Sequence, residues 1–312
     1  MSTPAVEVSG LEKAFGTVRA LRGISFNVRP GELFGFIGPD GAGKSTLFRI
    51  LTTLLVPTAG EARVLGHDPV KELWALRRRV GYMPGRFSLY PDLSVRENLT
   101  FFAQGFGTTI QEQYELIRPI YAQIEPFAER RAGALSGGMK QKLALCCALV
   151  HRPDILFLDE PTTGVDAVSR REFWDLLGVL RQGGLTIVVS TPYMDEADRC
   201  DRVALIQAGR LLRVAAPAEV GAAYEGPLFS VRGGERFRLI QSLRGYANAR
   251  FVFPFGDSLH YTDARTGASA ETVRRDVVEY LAGEGFGDVA MEPIGAGIED
   301  AFMALMGTPE GL

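Results

Sequence analysis

The sequence predicts an α/β protein built on a buried parallel sheet, followed by a small α+β domain. Three observations carry that prediction. Short apolar runs at 33–37 (LFGFI), 155–158 (ILFL) and 185–190 (LTIVVS) read as strands buried on both faces, as parallel strands are. Directly after the first run comes GPDGAGKST, Gly38 to Thr46, with the spacing G-x-x-x-x-G-K-[ST] and a helical pattern behind it. From about residue 216 the pattern changes to β-α-β-β-α-β, the ferredoxin-like order, with no second such loop. The expected domains are therefore 1–215 and 216–312, with a helical subdomain over about 82–150.

Taken in order, residues 5–32 read as β-structure, because Ile24, Phe26 and Val28 alternate with polar positions. Phe15, in KAFG, reads from its position as core sooner than as a stacking ring. Pro30-Gly31 turns the chain into the strand Leu33–Ile37. A helix is expected over Thr46–Leu55, turns over Pro57–Gly66 and a basic, solvated helix over Pro69–Val80. Ser94-Val95-Arg96-Glu97 has capping-box spacing and opens a helical region that continues through 108–130. LSGGMKQ, residues 135–141, makes a Gly-Gly turn into the helix Met139–Val150, which His151-Arg152-Pro153 ends. His151 reads as a helix-end residue and not as a ligand. The run Ile155–Leu158 ends in Asp159-Glu160. A loop over Pro161–Asp166, a helix over Val168–Gln182 and strands Leu185–Ser190 and Asp201–Ile206 follow, to a turn at Gly209.

In the second domain, strands are expected at Leu228–Val231, Ala249–Phe255, Ser258–Thr262 and Val289–Pro293. Helices are expected at Glu235–Leu243 and Ala270–Ala282. Val273, Val277 and Leu281 give the latter an apolar stripe. A last helix, Ile298–Met306, gathers Ile298, Phe302, Leu305 and Met306 on one face.

Composition narrows the function. A net charge of -3 gives no reason to expect nucleic acid as a partner. The three cysteines, Cys146, Cys147 and Cys200, are not spaced as a metal site, and their odd number suits a reducing compartment. The start, MSTPAVEVSG, has no basic or apolar region of a signal peptide. Leu143–Val150, among the longest apolar runs, has eight residues, far short of a membrane span. A membrane role would have to come from another chain.

The residue types in GPDGAGKST state their chemistry. Gly38, Gly41 and Gly43 let backbone N–H groups curl around phosphate oxygens, with Pro39, Asp40 and Ala42 completing the loop. Lys44 supplies a cation for the β- and γ-phosphates of a nucleotide. Ser45 offers a hard-oxygen ligand for Mg²⁺, and Thr46 follows it in the first turn of a helix whose N-terminus faces the anion. Asp159-Glu160 could be a surface turn. Beside a phosphate loop it reads better as a Mg²⁺-orienting Asp159 and a water-polarising Glu160.

Together GPDGAGKST, LSGGMKQ, ILFLDE and PTTGVD resemble the ATP-binding cassette (ABC) transporter ATPases over residues 5–215. The resemblance implies a nucleotide-binding subunit with an α/β core, an antiparallel β-subdomain and a helical subdomain, using ATP and Mg²⁺. STPYMDEADRCDR and GIEDAFMALMG look like the subgroup with an appended C-terminal domain, which exports drugs, lipids or polysaccharides through separate permease subunits. Such a subunit would be cytoplasmic, held at the inner face of the membrane by those permeases. In the family two ATPases pack head to tail around two ATP molecules. Leu135, Ser136, Gly137, Gly138 and Gln141 would face the partner's ATP, Asp166 would be the D-loop residue and Phe15 would stack on adenine.

Two departures matter. Gly85, in GYMPGRFSLY, stands where the family usually has Gln. Pro192, in STPYMDEA, stands where it usually has the His that holds the γ-phosphate, and proline offers neither a polar side chain nor an N–H. A smaller departure is Asp40 where Asn is usual. The expectation is a site that binds ATP well but hydrolyses it slowly, with a signature fully able to serve a second, complete ATPase subunit. The alternatives are an active homodimer, a nucleotide-gated regulatory subunit, and a soluble ABC ATPase outside transport. The last usually carries paired cassettes or basic insertions that this chain lacks.

Overall fold

The computed structural model describes residues 3–85, 89–224, 226–265 and 267–306. The chain divides into two compact units, one running to Pro217 and the other starting at Ala218, each with its own apolar core.

In the first unit, antiparallel strands β1 (Val6–Phe15) and β2 (Val18–Val28) precede β3 (Leu33–Ile37), whose residues are all buried. Next come α1 (Lys44–Leu51) and β4 (Ala59–Val64), which closes a sheet of order β2-β1-β4. After them run α2 (Leu73–Arg77), β5 (Val80–Met83), α3 (Val95–Gly105), α4 (Ile110–Tyr121), α5 (Gly137–Leu149) and β6 (Ile155–Asp159). The unit ends with α6 (Ala167–Gln182), β7 (Thr186–Thr191), β8 (Arg202–Gln207) and β9 (Arg210–Ala215).

The main sheet has the order β5-β6-β7-β3-β8-β9, parallel except for the edge pair β8–β9. Strand β7 therefore lies between β3 and β6. Ile37 pairs with Thr191 and Asp159 with Ser190, so three strand ends lie side by side at the carboxyl edge, where open α/β sheets bind ligands. Behind that edge an aromatic chain holds α1 to the sheet. Phe36 meets Phe48 at 5.9 Å and Phe48 meets Phe157 at 5.7 Å, both edge to face.

Several expected boundaries differ, each for a local reason. Helix α1 starts at Lys44 and stops at Leu51, because the Thr52 hydroxyl bonds back to Phe48 O and Thr53 adopts a φ of 68°. The helix expected over 69–80 shrinks to α2. Asp68 Oδ1 accepts from the Val70 and Lys71 N–H groups and builds a turn there, and residues 80–83 are an edge strand. The stretch expected as turns, 57–66, contains β4. Strand β9 was not expected. The helical pattern over 108–130 breaks after Tyr121 into a 3-10 turn at Glu125–Phe127, which carries Pro126. The capping box is present: Ser94 Oγ accepts from Glu97 N at 3.1 Å and Glu97 Oε2 accepts from Ser94 N at 2.7 Å.

At the boundary lies α7 (Pro217–Ala222), also not expected. The second unit then contains β10 (Leu228–Arg232), α8 (Arg236–Gly245), β11 (Ala249–Phe255), β12 (Ser258–Asp263), α9 (Ala270–Gly283), β13 (Ala290–Ile294) and α10 (Ile298–Met306). Its sheet has the order β11-β12-β10-β13 and is antiparallel throughout. Elements β10 to β13 follow each other as β-α-β-β-α-β. Leu239 and Leu243 of α8 and Val273, Val277 and Leu281 of α9 share one core with Phe229 and Tyr261 of the sheet.

Candidate functional site

The loop after β3 is shaped by how closely its backbone approaches its neighbours. A Cβ on Gly38 would lie 2.0 Å from Ile206 O, and one on Gly43, whose φ is 105°, would lie 2.5 Å from Ala20 O. Only glycine fits either place. The loop then exposes Pro39, Asp40 and Gly41, buries Ala42 and Gly43, and leaves Ser45 and Thr46 half-buried. Helix α1 begins without a side-chain cap and without an acidic residue in its first turn. Its first N–H groups are thus open to an anion, which its dipole also favours.

Lys44 is buried, and its ammonium is tightly held. Nζ donates to Gly38 O at 2.7 Å and to Pro39 O at 3.0 Å, and it pairs with Glu160 Oε1 at 3.0 Å. The phosphate loop and the end of β6 are thereby brought together, as the order β3-β7-β6 allows.

Asp159 is buried at the end of β6, and its Oδ1 accepts from Ser190 Oγ at 2.7 Å. Glu160 has a φ of 50°, a left-handed conformation that costs a non-glycine residue about 1–3 kcal/mol. Its N–H donates to both Ser190 O and Ser190 Oγ, each at 3.0 Å, and this fixes the turn. Ser190 is the site residue that sequence reasoning missed. A hydroxyl at the end of an otherwise apolar buried strand was the signal for it.

Gly85 is exposed, yet a Cβ there would lie 3.0 Å from Asp159 O and 3.8 Å from Glu160 Cβ. Pro192 is half-buried directly after Thr191, whose carbonyl accepts from Gly38 N at 3.3 Å. Gly85 thus sits beside Asp159 and Glu160, and Pro192 follows the strand end that receives the Gly38 N–H. Residues 86–88 lie outside the described residues.

Ser136 caps α5, with Oγ accepting from Met139 N at 3.3 Å. The helix therefore starts two residues earlier than Met139. Ser136 and Gly137 are exposed, Gln141 is half-buried, and Leu135 and Gly138 are buried. A Cβ on Gly138 would meet Ser169 Oγ of α6 at 2.7 Å. Asp166 caps α6 by accepting from Ser169 N at 3.0 Å and Val168 N at 3.1 Å. The Ser169 N–H foremost holds its carboxyl below the ordinary range. Phe15 corrects the positional expectation: it is 49% exposed at the end of β1, with Lys13 Nζ 4.9 Å from its ring centroid.

No three His, Cys, Asp or Glu side chains among the described residues converge as a metal cage. The hydroxyl of Ser45 and the carboxylate of Asp159 instead suit Mg²⁺, which takes oxygen ligands and is commonly shared with substrate phosphates. The three cysteines are free and buried, and burial pushes their thiols up. A groove of about 1200 Å³ is lined by Trp74, Tyr82, Met83, Leu89, Phe102 and Phe106. Trp74 is 75% exposed on its rim, and burial pushes the Tyr82 hydroxyl up to about 12.

Comparison with known proteins places this geometry. The ABC transporter family description matches residues 21–163. The probable multidrug ABC transporter ATP-binding protein YbhF of Escherichia coli is 43% identical over 219 residues, which are 70% of this chain and 38% of that protein. This chain therefore spans well under half of YbhF. The Nod factor export ATP-binding protein I of Burkholderia thailandensis is 35% identical over 316 residues, covering 98% of each chain. Among solved structures, the dimeric post-hydrolysis state of the ATP-binding cassette MJ0796, bound to ADP and Pi, superposes with a TM-score of 0.61. It shares 28% identity over 68% of this chain and 98% of that one. With its phosphate loop, Asp159-Glu160 edge and LSGG helix cap, this chain belongs to the family of ABC transporter ATP-binding proteins.

Proposed function

We propose that this chain is the ATP-hydrolysing subunit of a membrane exporter, and that it forms the slow half of an ATPase heterodimer. The observation that carries the reading is the cluster of Lys44, Asp159 and Glu160, with Gly85 against it and Pro192 directly after the neighbouring strand β7. Lys44 and the first N–H groups of α1 hold the β- and γ-phosphates of ATP, and the exposed ring of Phe15 takes the adenine. Ser45 and Asp159 would hold Mg²⁺, which would neutralise phosphate charge. Glu160, oriented by Ser190 and Lys44, polarises the attacking water. Position 85 brings no side-chain amide and position 192 no imidazole. Losing one preorganised contact of that kind costs about 10²–10³ in rate.

Export rests on the printed functions of the relatives, multidrug and Nod factor export, and suggests a drug, lipid or polysaccharide cargo. No helix among the described residues is long and apolar enough to cross a membrane, so separate permease subunits carry the cargo. The aromatic groove beside α2 and α3 is where a permease segment docks, placing the chain on the inner face of the membrane. Residues 135–141 serve the ATP bound by the partner ATPase.

The test is direct. The purified chain should bind Mg-ATP in an equilibrium titration, and Lys44→Ala should weaken that binding strongly. The chain alone should turn over well below the usual enzyme range of about 1–10³ s⁻¹. Unchanged affinity in Lys44→Ala would remove the nucleotide assignment. Fast turnover by the isolated chain would remove the slow-half assignment. Turnover that stays negligible beside a competent partner ATPase would leave a regulatory subunit.

A further inference from the structure

Glu196 lies in the 3-10 turn Met194–Arg199 that follows β7 and is 4% exposed. A carboxylate so buried is costly unless its oxygens are satisfied. Here Oε1 accepts from Thr162 Oγ1 at 2.8 Å, and Oε2 accepts from the Thr191 hydroxyl. Arg170 Nε stands 3.9 Å from Oε1. Its guanidinium also donates to Asp195 at 3.0 Å and lies 4.5 Å from the Tyr193 ring centroid. Thr162 and Thr191 are both fully buried.

The two threonines are placed where the chemistry is. Thr162 is the second residue after Glu160. Thr191 immediately precedes Pro192, and its carbonyl receives the Gly38 N–H. One carboxylate thus ties the loop after β6 to the loop after β7 and, through the Thr191 backbone, to the start of the phosphate loop.

We propose that Glu196 is a positioning residue for ATP hydrolysis, setting Glu160 against the Pro192 loop through Thr162 and Thr191. Burial alone would be served at lower cost by an apolar residue. A carboxylate gripping two hydroxyls adds a fixed separation between two loops. That separation matters more in this chain than where position 192 carries a polar side chain, because here the placement of Glu160 is what remains. Neither Lys44 nor the N-terminus of α1 takes part in the knot, which reaches the phosphate loop only through the Thr191 backbone, so ATP binding should depend on it far less than hydrolysis does. Its loss should appear in kcat and not in affinity.

The proposal rests on the ATPase reading above. The test uses the full chain, with Mg-ATP affinity from equilibrium titration and single-turnover hydrolysis of radiolabelled ATP followed over hours. Glu196→Ala should slow hydrolysis by about 10²-fold, the scale of a misplaced reacting group, with the Kd for ATP unchanged within about twofold. Glu196→Gln keeps one acceptor and gains an N–H that a threonine hydroxyl can accept, so it should stay near the parent rate. Thr162→Val, of nearly the same shape, should slow hydrolysis by about tenfold, and Thr162→Ser should restore it. The Thr162 pair decides the matter if Glu196→Ala does not fold. Equal rates across the variants with ATP binding intact would overturn this inference alone, as would rate losses matched by equal rises in Kd. A parent chain that binds no ATP would overturn the ATPase reading and this inference together.

Discussion

Glu160 holds a left-handed backbone, pairs with Lys44 and depends on Ser190 for its orientation, so its work is set by residues around it. The Gly38–Thr46 loop and Asp159-Glu160 were legible in the sequence because each position needs one residue type: no Cβ at 38 or 43, a cation at 44, carboxylates at a strand end. Ser190, Thr162, Thr191 and Glu196 were not, because their meaning lies in strand neighbours far apart in the chain. Gly85 was legible as a missing side chain but not as a close contact. Restoring both family residues, Gly85→Gln with Pro192→His, should raise turnover of the isolated chain in steady-state phosphate release. The backbone at 85 must give by a few tenths of an ångström, since its Cβ starts 3.0 Å from Asp159 O. Gly85→Ala is the control for that crowding and should not raise turnover. A double variant no faster than the parent, in a protein that still binds ATP, would count against the assigned roles of these two positions.

At the scale of elements, the join between α5 and β5 carries a pH dependence. His151 Nε2 donates to Val80 O at 3.1 Å, its ring stacks on Phe106 at 3.9 Å, and Nδ1 is buried without a partner. Burial lowers its pKa from the ordinary 6.5. The folded state therefore takes up a proton less readily than the unfolded one. The stability from the neutral ring is complete above pH about 6.5 and is lost as pH falls below that value toward the lower folded pKa. The melting temperature of His151→Gln relative to the parent should therefore improve between pH 7.5 and pH 5.5, and a constant difference would contradict this. The elements themselves were legible where the apolar period was clean, as in β3, β11 and α10. They were misread where polar turn chemistry intervened. Asp68 turned an expected helix into a short one, and Gly209 hid the edge strand β9 behind its turn.

For the whole molecule, the sequence made the two-part organisation legible because each part repeats its own pattern: buried strand runs before residue 216, alternating strands and amphipathic helices after it. The three-strand adjacency that assembles the site was not legible, since strand order is settled by packing and not by local pattern. The signature was legible only through its family resemblance, since its proposed use lies on another subunit. The central claim is that this chain's own site mainly holds ATP while its LSGG serves a partner's site. Steady-state ATPase of the complex reconstituted with a second, complete cassette tests it, with each substitution made only in this chain. Glu160→Gln slows only this chain's own site, which supplies little of the complex's turnover, so it should cost little of the measured rate. Ser136→Arg places bulk and charge at the exposed start of α5 and should abolish most turnover. If Glu160→Gln abolishes turnover as fully as Ser136→Arg does, this chain's own site is catalytic and the asymmetric account is wrong.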